Sequence, residues 1–179
     1  MYVCTLRCPH YAAPCEIGSV EYEQIATYKT PCPVGENDSF QYIDENNLFM
    51  CLVVGSRTFS DYSYFSMKMD KILASKTDKT IVILSGGADG TDSLAERYAK
   101  ERNYVFLCMP ADWEKGKSAG YERNDKMHKY LASHEDRGCI AFWDGHSKGT
   151  MHSFVLAKKY ANQIRLVKVE VTNLRMLML

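Results

Sequence analysis

The chain has 179 residues, of which 46% are apolar and 25% charged, with 22 Lys plus Arg balanced by 22 Asp plus Glu. That length allows one domain with a sizeable core, and the composition is that of a globular chain rather than a disordered one. Zero net charge without a basic stripe weighs against general binding to nucleic acid, and no apolar run approaches the length of a membrane span.

Residues 1–47 differ from the rest and read as an irregular N-terminal extension of unknown role. They lack an apolar signal core and hold Cys4, Cys8, Cys15 and Cys32 and four of the five prolines. Residues 20–27 read as a strand or a short helix, and periodicity does not decide between them. Cys4, Cys8, His10, Cys15 and Cys32 are candidate zinc ligands by residue type. Structural zinc sites come as paired short knuckles, and Cys15 and Cys32 do not complete a second one, so free cysteines and no metal are expected. Cys51, Cys108 and Cys139 fall inside predicted strands, where free cysteine behaves as a small hydrophobe. An odd total of 7 cysteines fits a reducing, cytoplasmic compartment better than a disulfide framework.

From residue 48 the pattern turns regular. A strand at 48–54 leads to a helix at 62–74, with Asp61 as N-cap and a buried stripe of Phe65, Met69, Ile72 and Leu73. A second strand at 81–84 leads to a helix at 91–102 that buries Leu94, Ala95, Tyr98 and Ala99. A third strand at 104–109 ends at Pro110, and a loop precedes a helix at 121–132. A fourth strand at 139–142 leads to a helix starting near Thr150, with Met151, Phe154 and Val155 inward. The last strand is expected at 164–169, and residues 173–179 form an added helix or a tail. Short apolar strands alternating with helices predict an α/β fold: a mainly parallel sheet of five or more strands with helices on both faces, in residues 48–179.

Three glycine-containing loops follow three of these strands. In a parallel sheet such loops gather at the carboxyl ends of the strands, where ligands bind. Glycines let backbone N–H groups approach an anion, and helix N-termini add partial positive charge. A phosphorylated small molecule is therefore the expected ligand. In the first loop, Gly55, Ser56 and Arg57, the serine can donate to a phosphate and the arginine can grip one with two prongs. The second, Ser85, Gly86, Gly87, Ala88, Asp89, Gly90, Thr91 and Asp92, is neither a Walker A loop nor a dinucleotide fingerprint. Gly86 and Gly87 admit unusual backbone angles, and Gly90 lets the helix pack close. Asp92 either stabilises the first helical turn or bonds a ribose hydroxyl, since a carboxylate beside a phosphate would repel it. In the third loop Asp144, Gly145, Ser147, Gly149 and Thr150 are assigned to the ligand, although Thr150 is equally a natural N-cap. His146 and His152 read as loop and helix residues rather than catalytic bases. Trp113 either stacks on a base or covers the core edge, while Arg123 and Asn124 lie at a helix start near the expected ligand.

Taken together, these motifs, with residues 110–113, 119–124, Met127 and 142–150, resemble the YspA-related branch of the SLOG superfamily over about residues 48–170. The resemblance implies a Rossmann-like three-layer fold that binds nucleotides or their derivatives. The superfamily includes the DNA-processing protein DprA, the LOG phosphoribohydrolases, and sensor domains for NAD-derived or ADP-ribose-like signals in prokaryotic or phage immunity. The loop at 85–92 is similar to that of DprA. Arg123 and Met127 match the LOG segment that carries a catalytic arginine, and Gly149 and Thr150 match its glycine loop. Where LOG enzymes place a catalytic glutamate, this chain has Ser153.

The expected function is binding of a nucleotide-derived molecule, of ADP-ribose or cyclic ADP-ribose type, as a sensor or sequestering protein that requires no cofactor. The alternative is an N-glycosidase or phosphoribohydrolase acting on nucleoside monophosphates, with Arg123 catalytic. Ser153 cannot stabilise a developing ribosyl cation, so Asp92, Asp112 or Asp144 would have to. A third reading is single-stranded DNA binding as in DprA, which the neutral charge disfavours. The resemblance also implies a homo-oligomer.

Overall fold

The computed structural model describes residues 2–4, 40–42 and 47–170. Within the segment expected to be irregular, β1 (Tyr2–Cys4) and β2 (Phe40–Tyr42) form an antiparallel pair. The expectations for residues 20–27 and 173–179 lie outside the described residues, as do Cys8, His10, Cys15 and Cys32.

The rest alternates strand and helix. In order come β3 (Leu48–Gly55), α1 (Tyr62–Leu73), β4 (Thr80–Ser85), α2 (Thr91–Glu101), β5 (Val105–Cys108), α3 (Ala119–Ala132), β6 (Arg137–Trp143), α4 (Lys148–Lys159) and β7 (Ile164–Lys168). The strands form one parallel sheet in the order β5-β4-β3-β6-β7. The fold is α/β and Rossmann-like.

β3 is central and buried along almost its whole length. Successive side chains on a strand point to opposite faces, so its residues divide between two cores. Phe49, Cys51 and Val53 join Phe65 and Met69 of α1 and Ala95, Tyr98 and Ala99 of α2. Leu48, Met50 and Leu52 join Met127 and Leu131 of α3 on the other face. Phe65 shows how α1 docks. It is fully buried and stacks on Phe142 of β6 at 4.5 Å between ring centroids, a burial that stabilises by roughly 2–3 kcal/mol. Asp61 caps α1, its carboxylate accepting from the N–H of Tyr64 at 2.9 Å.

α4 departs from expectation. Its N-cap is Ser147, whose hydroxyl accepts from the N–H of Thr150, so the helix begins at Lys148. The inward face carries Thr150, Ser153, Leu156 and Ala157. Met151 and Val155, expected inward, are 46% and 61% exposed, and Phe154 is partly buried beside Trp143. The cause is local: α4 packs on α3 and β6 through its small residues, a face that a search for apolar spacing passes over.

His128 of α3 is fully buried, and its main-chain carbonyl accepts from Asn162 Nδ2 at 2.9 Å. Burial lowers its pKa from 6.5 to about 4, a nearby His152 adds to this, and Asp125 opposes it. The folded state therefore holds the ring neutral, whereas the unfolded chain takes up a proton near pH 6.5. Its contribution to stability is complete above that pH and is lost as pH falls toward 4. Denaturant titrations should show unfolding free energy falling by about 2 kcal/mol between pH 7 and about 4.5, with His128→Gln removing that part of the slope.

Candidate functional site

The sheet order reverses at β3: β4 and β5 continue to one side, β6 and β7 to the other. A crevice opens at such a switch point beyond the carboxyl ends of the strands. Here it is a cleft of about 570 Å³, within the range of small-molecule sites. It is lined by Val54 and Gly55 at the end of β3, Arg57 in the loop after it, Ala88 after β4 and Asp92 in the first turn of α2. One wall is Gly120, Tyr121, Arg123, Asn124 and Met127 of α3. The opposite wall is Asp144, Ser147, Gly149, Thr150 and Ser153 around the start of α4, with Trp113 and Lys117 at the rim. Gly86 and Gly87 border a smaller neighbouring cavity instead.

The remaining expected contacts lie elsewhere. Ser56 and Ser85 are fully buried, and neither borders the cleft or the smaller cavity. The Ser56 hydroxyl accepts from the N–H of Asp144 at 3.2 Å, and its carbonyl accepts from both the N–H and the hydroxyl of Thr91. Ser85 donates to the carbonyl of Val53 at 3.0 Å. Ser56 thus joins the first loop to the third and to the start of α2, and Ser85 joins the end of β4 to β3. Gly90 and Gly145 border neither cavity, and both have positive φ, +72° and +85°.

The third loop is satisfied from within. Asp144 Oδ1 accepts from the N–H groups of His146 and Ser147, and the Thr150 hydroxyl donates to that of Ser147. Burial opposes ionisation of Asp144, but these amides and the Ser56 hydroxyl outweigh it, so its carboxyl titrates below the usual range. Asn124 ties the walls together, its Nδ2 donating to the Gly149 carbonyl at 3.3 Å.

Arg123 is different. Its side chain is only 9% exposed, and its Nε and Nη1 are buried without a hydrogen-bond partner. Asp92 Oδ2 lies 3.6 Å from Nη1, close enough to attract but too far for a hydrogen bond. That oxygen already accepts from the N–H of Ala88 at 3.1 Å. Burial pushes the Asp92 carboxyl up, opposed by Arg123, Ala88, Ser85 and Arg57. Burial pushes the Arg123 guanidinium down, Asp92 opposes this, and Arg57 adds to it. A buried charge with open donors is costly unless something completes its shell. Arg57 forms no ion pair among the described residues, and its guanidinium lies 5.4 Å from the centre of the Trp113 ring. Three cations, Arg57, Lys117 and Arg123, thus border the cleft with two carboxylates, one paired with Arg123 and one engaged by its own loop.

Residues 50–116 match the model of the YspA, cpYpsA-related SLOG family. The Gene 61 protein of Mycobacterium phage D29 is 35% identical over 115 residues, which is 60% of this chain and 87% of that protein. The chain belongs to the YspA, cpYpsA-related SLOG family. Membership points to nucleotide-related binding or processing. The SLOG-family match runs from β3 through the turn that holds Trp113, so it takes in both glycine loops on the floor of the cleft.

Lys117 and Tyr121 border the cleft without having been assigned to the ligand, and Met127 and Ser153, which the resemblance had matched to the catalytic segments of LOG enzymes, border it too. Helical spacing finds two of them: Met127 follows Arg123 by four residues and Ser153 follows Thr150 by three, so each shares its neighbour's face. Among the described residues no group of His, Cys, Asp and Glu is placed to hold a metal ion, and no helix is long and apolar enough to cross a membrane.

Proposed function

We propose that this SLOG-family protein binds a phosphorylated nucleotide derivative of the ADP-ribose class in the cleft, as a sensor or sequestering protein. The observation that carries this reading is the Arg123 guanidinium: buried, charged and with two nitrogens unpartnered at the cleft wall. A phosphate oxygen completes its shell, and Arg57 and Lys117 add positive charge, so the cleft border carries three cations against two carboxylates. Trp113 and Tyr121, 56% and 46% exposed at the rim, offer faces for a planar base.

The test compares adenosine, AMP and ADP-ribose in thermal unfolding and calorimetry. A phosphorylated ligand at about 100 times its Kd stabilises by about 2.7 kcal/mol, raising the Tm by about 5 °C or more. Adenosine should give no such shift. Equal shifts with adenosine and AMP, or none with any of the three, refute the proposal.

One observation favours hydrolysis of an N-glycosidic bond as the second reading. Asp92 is a buried carboxylate at the cleft whose pKa burial raises, the kind of group that serves as a general acid or base. Chromatography for free adenine after hours with AMP separates the two readings, since a binding module releases none.

A further inference from the structure

The sheet ends at β7, and one edge of that strand pairs with no other strand among the described residues. Along a strand, the main-chain groups of alternate residues point to the same side. The Gln163 carbonyl accepts from the N–H of Cys139 at 2.9 Å, and the N–H of Val169 donates to the Trp143 carbonyl at 3.1 Å. Odd-numbered residues therefore turn to β6, and Ile164, Leu166 and Lys168 turn their N–H and carbonyl groups outward. The Lys168 carbonyl accepts from the Tyr64 hydroxyl at 3.2 Å, and among the described residues the rest of this outward row meets no partner. The Leu166 side chain is 42% exposed on the same strand. Such an edge is a template for pairing with another segment.

The chain itself supplies one. Residues 171–179 follow β7 directly, and Arg175 is the one polar residue among 174–179. Leucines and methionines at the other positions are unfavourable to leave in water. A strand over 174–179 spans about 20 Å, enough to run the length of β7. Asn173 suits the left-handed position that closes a three-residue hairpin turn. A turn at 171–173 pairs Glu170 with Leu174, and sets Met176 opposite Lys168 and Met178 opposite Leu166. A second copy is the rival occupant, but β7 holds Arg165 and Lys168 and no carboxylate, so two such edges gather four cations where the tail adds Arg175 alone. The short tether also holds the tail at an effective concentration of about millimolar.

We propose that residues 174–179 add to β7 as a sixth, antiparallel strand, which covers Leu166 and closes this edge of the sheet to other chains.

Amide hydrogen exchange of the full chain, read residue by residue by NMR, tests this. The N–H groups of Leu166, Lys168, Met176 and Met178 should exchange at least about 100-fold slower than in the unfolded chain, at every protein concentration. The double variant Met176→Pro/Leu177→Pro removes two successive donors, so the tail cannot pair in any register. It should bring Leu166 to within about tenfold of the unfolded rate, while Leu52 of the central strand keeps its protection. Free exchange at Leu166 in the parent overturns the proposal, as does protection there that the double variant leaves in place. Protection that appears only as sedimentation detects a dimer assigns the edge to a second copy and overturns it too. If the variant aggregates, slow exchange at both Leu166 and Met178 in the monomeric parent decides in its favour.

Discussion

Arg123→Ala should weaken binding of AMP by about 100-fold, equivalent to two charge-assisted hydrogen bonds of roughly 1.5 kcal/mol each. It should also lower the unfolding free energy of the ligand-free protein by about 3 kcal/mol, because it leaves Asp92 buried beside a vacated cationic partner. Burial already raises the Asp92 carboxyl, and loss of Arg123 raises it further, so the variant recovers part of its stability at lower pH as that group is protonated. Adding Asp92→Asn should restore part of the stability and none of the binding. Such non-additivity is expected of two charged groups 3.6 Å apart. Calorimetric titration and denaturant unfolding of the four proteins in this cycle check both halves. If Arg123→Ala binds AMP as the parent does, the guanidinium is a structural cation and the functional reading fails.

Gly90→Ala should cost about 4 kcal/mol of stability, combining left-handed strain with overlap against main chain. Gly90 has φ +72° and ψ −124°, a region in practice open to glycine alone. A Cβ there would lie 2.3 Å from the carbonyl oxygen of Arg57 and 2.6 Å from that of Ser56. Neither atom can move aside cheaply, since the Ser56 carbonyl accepts from Thr91 N–H at 3.2 Å and Thr91 Oγ1 at 3.1 Å. The substitution therefore forces apart the two loops that floor the cleft. Gly86→Ala is the control: the three atoms nearest its Cβ all belong to the end of the Arg123 side chain rather than to main chain, so it should destabilise less than half as much while displacing the guanidinium. Urea unfolding of the two variants distinguishes these outcomes, and equal losses would contradict the assignment.

The element pattern was legible in the sequence because it depends on local spacing. The strands at 48–54, 81–84 and 139–142 and the cap at Asp61 appear within a residue or two of their expected limits. α4 was misread for the opposite reason. Its inward face is Thr150, Ser153, Leu156 and Ala157; three of the four are small or polar and carry no hydrophobic period, and contact with α3 and β6 selects them.

The same division runs through the site. Glycine loops after parallel strands, with Arg57, Trp113 and Arg123 near them, were determined by the sequence by itself, since strand order along the chain sends those loops to one end of the sheet. Which members of each loop face a ligand was decided only by tertiary structure. Ser56 and Ser85 have the chemistry to bind a phosphate, yet neighbouring loops engage them and bury them completely. Arg123, named from the sequence as a ligand contact and the candidate catalytic arginine, proves to be a buried cation with open donors because Asp92 approaches from another element without closing to hydrogen-bond distance. Burial and the leftover bonding capacity of a group arise from everything packed around it, and that is set by contacts between residues far apart in the chain.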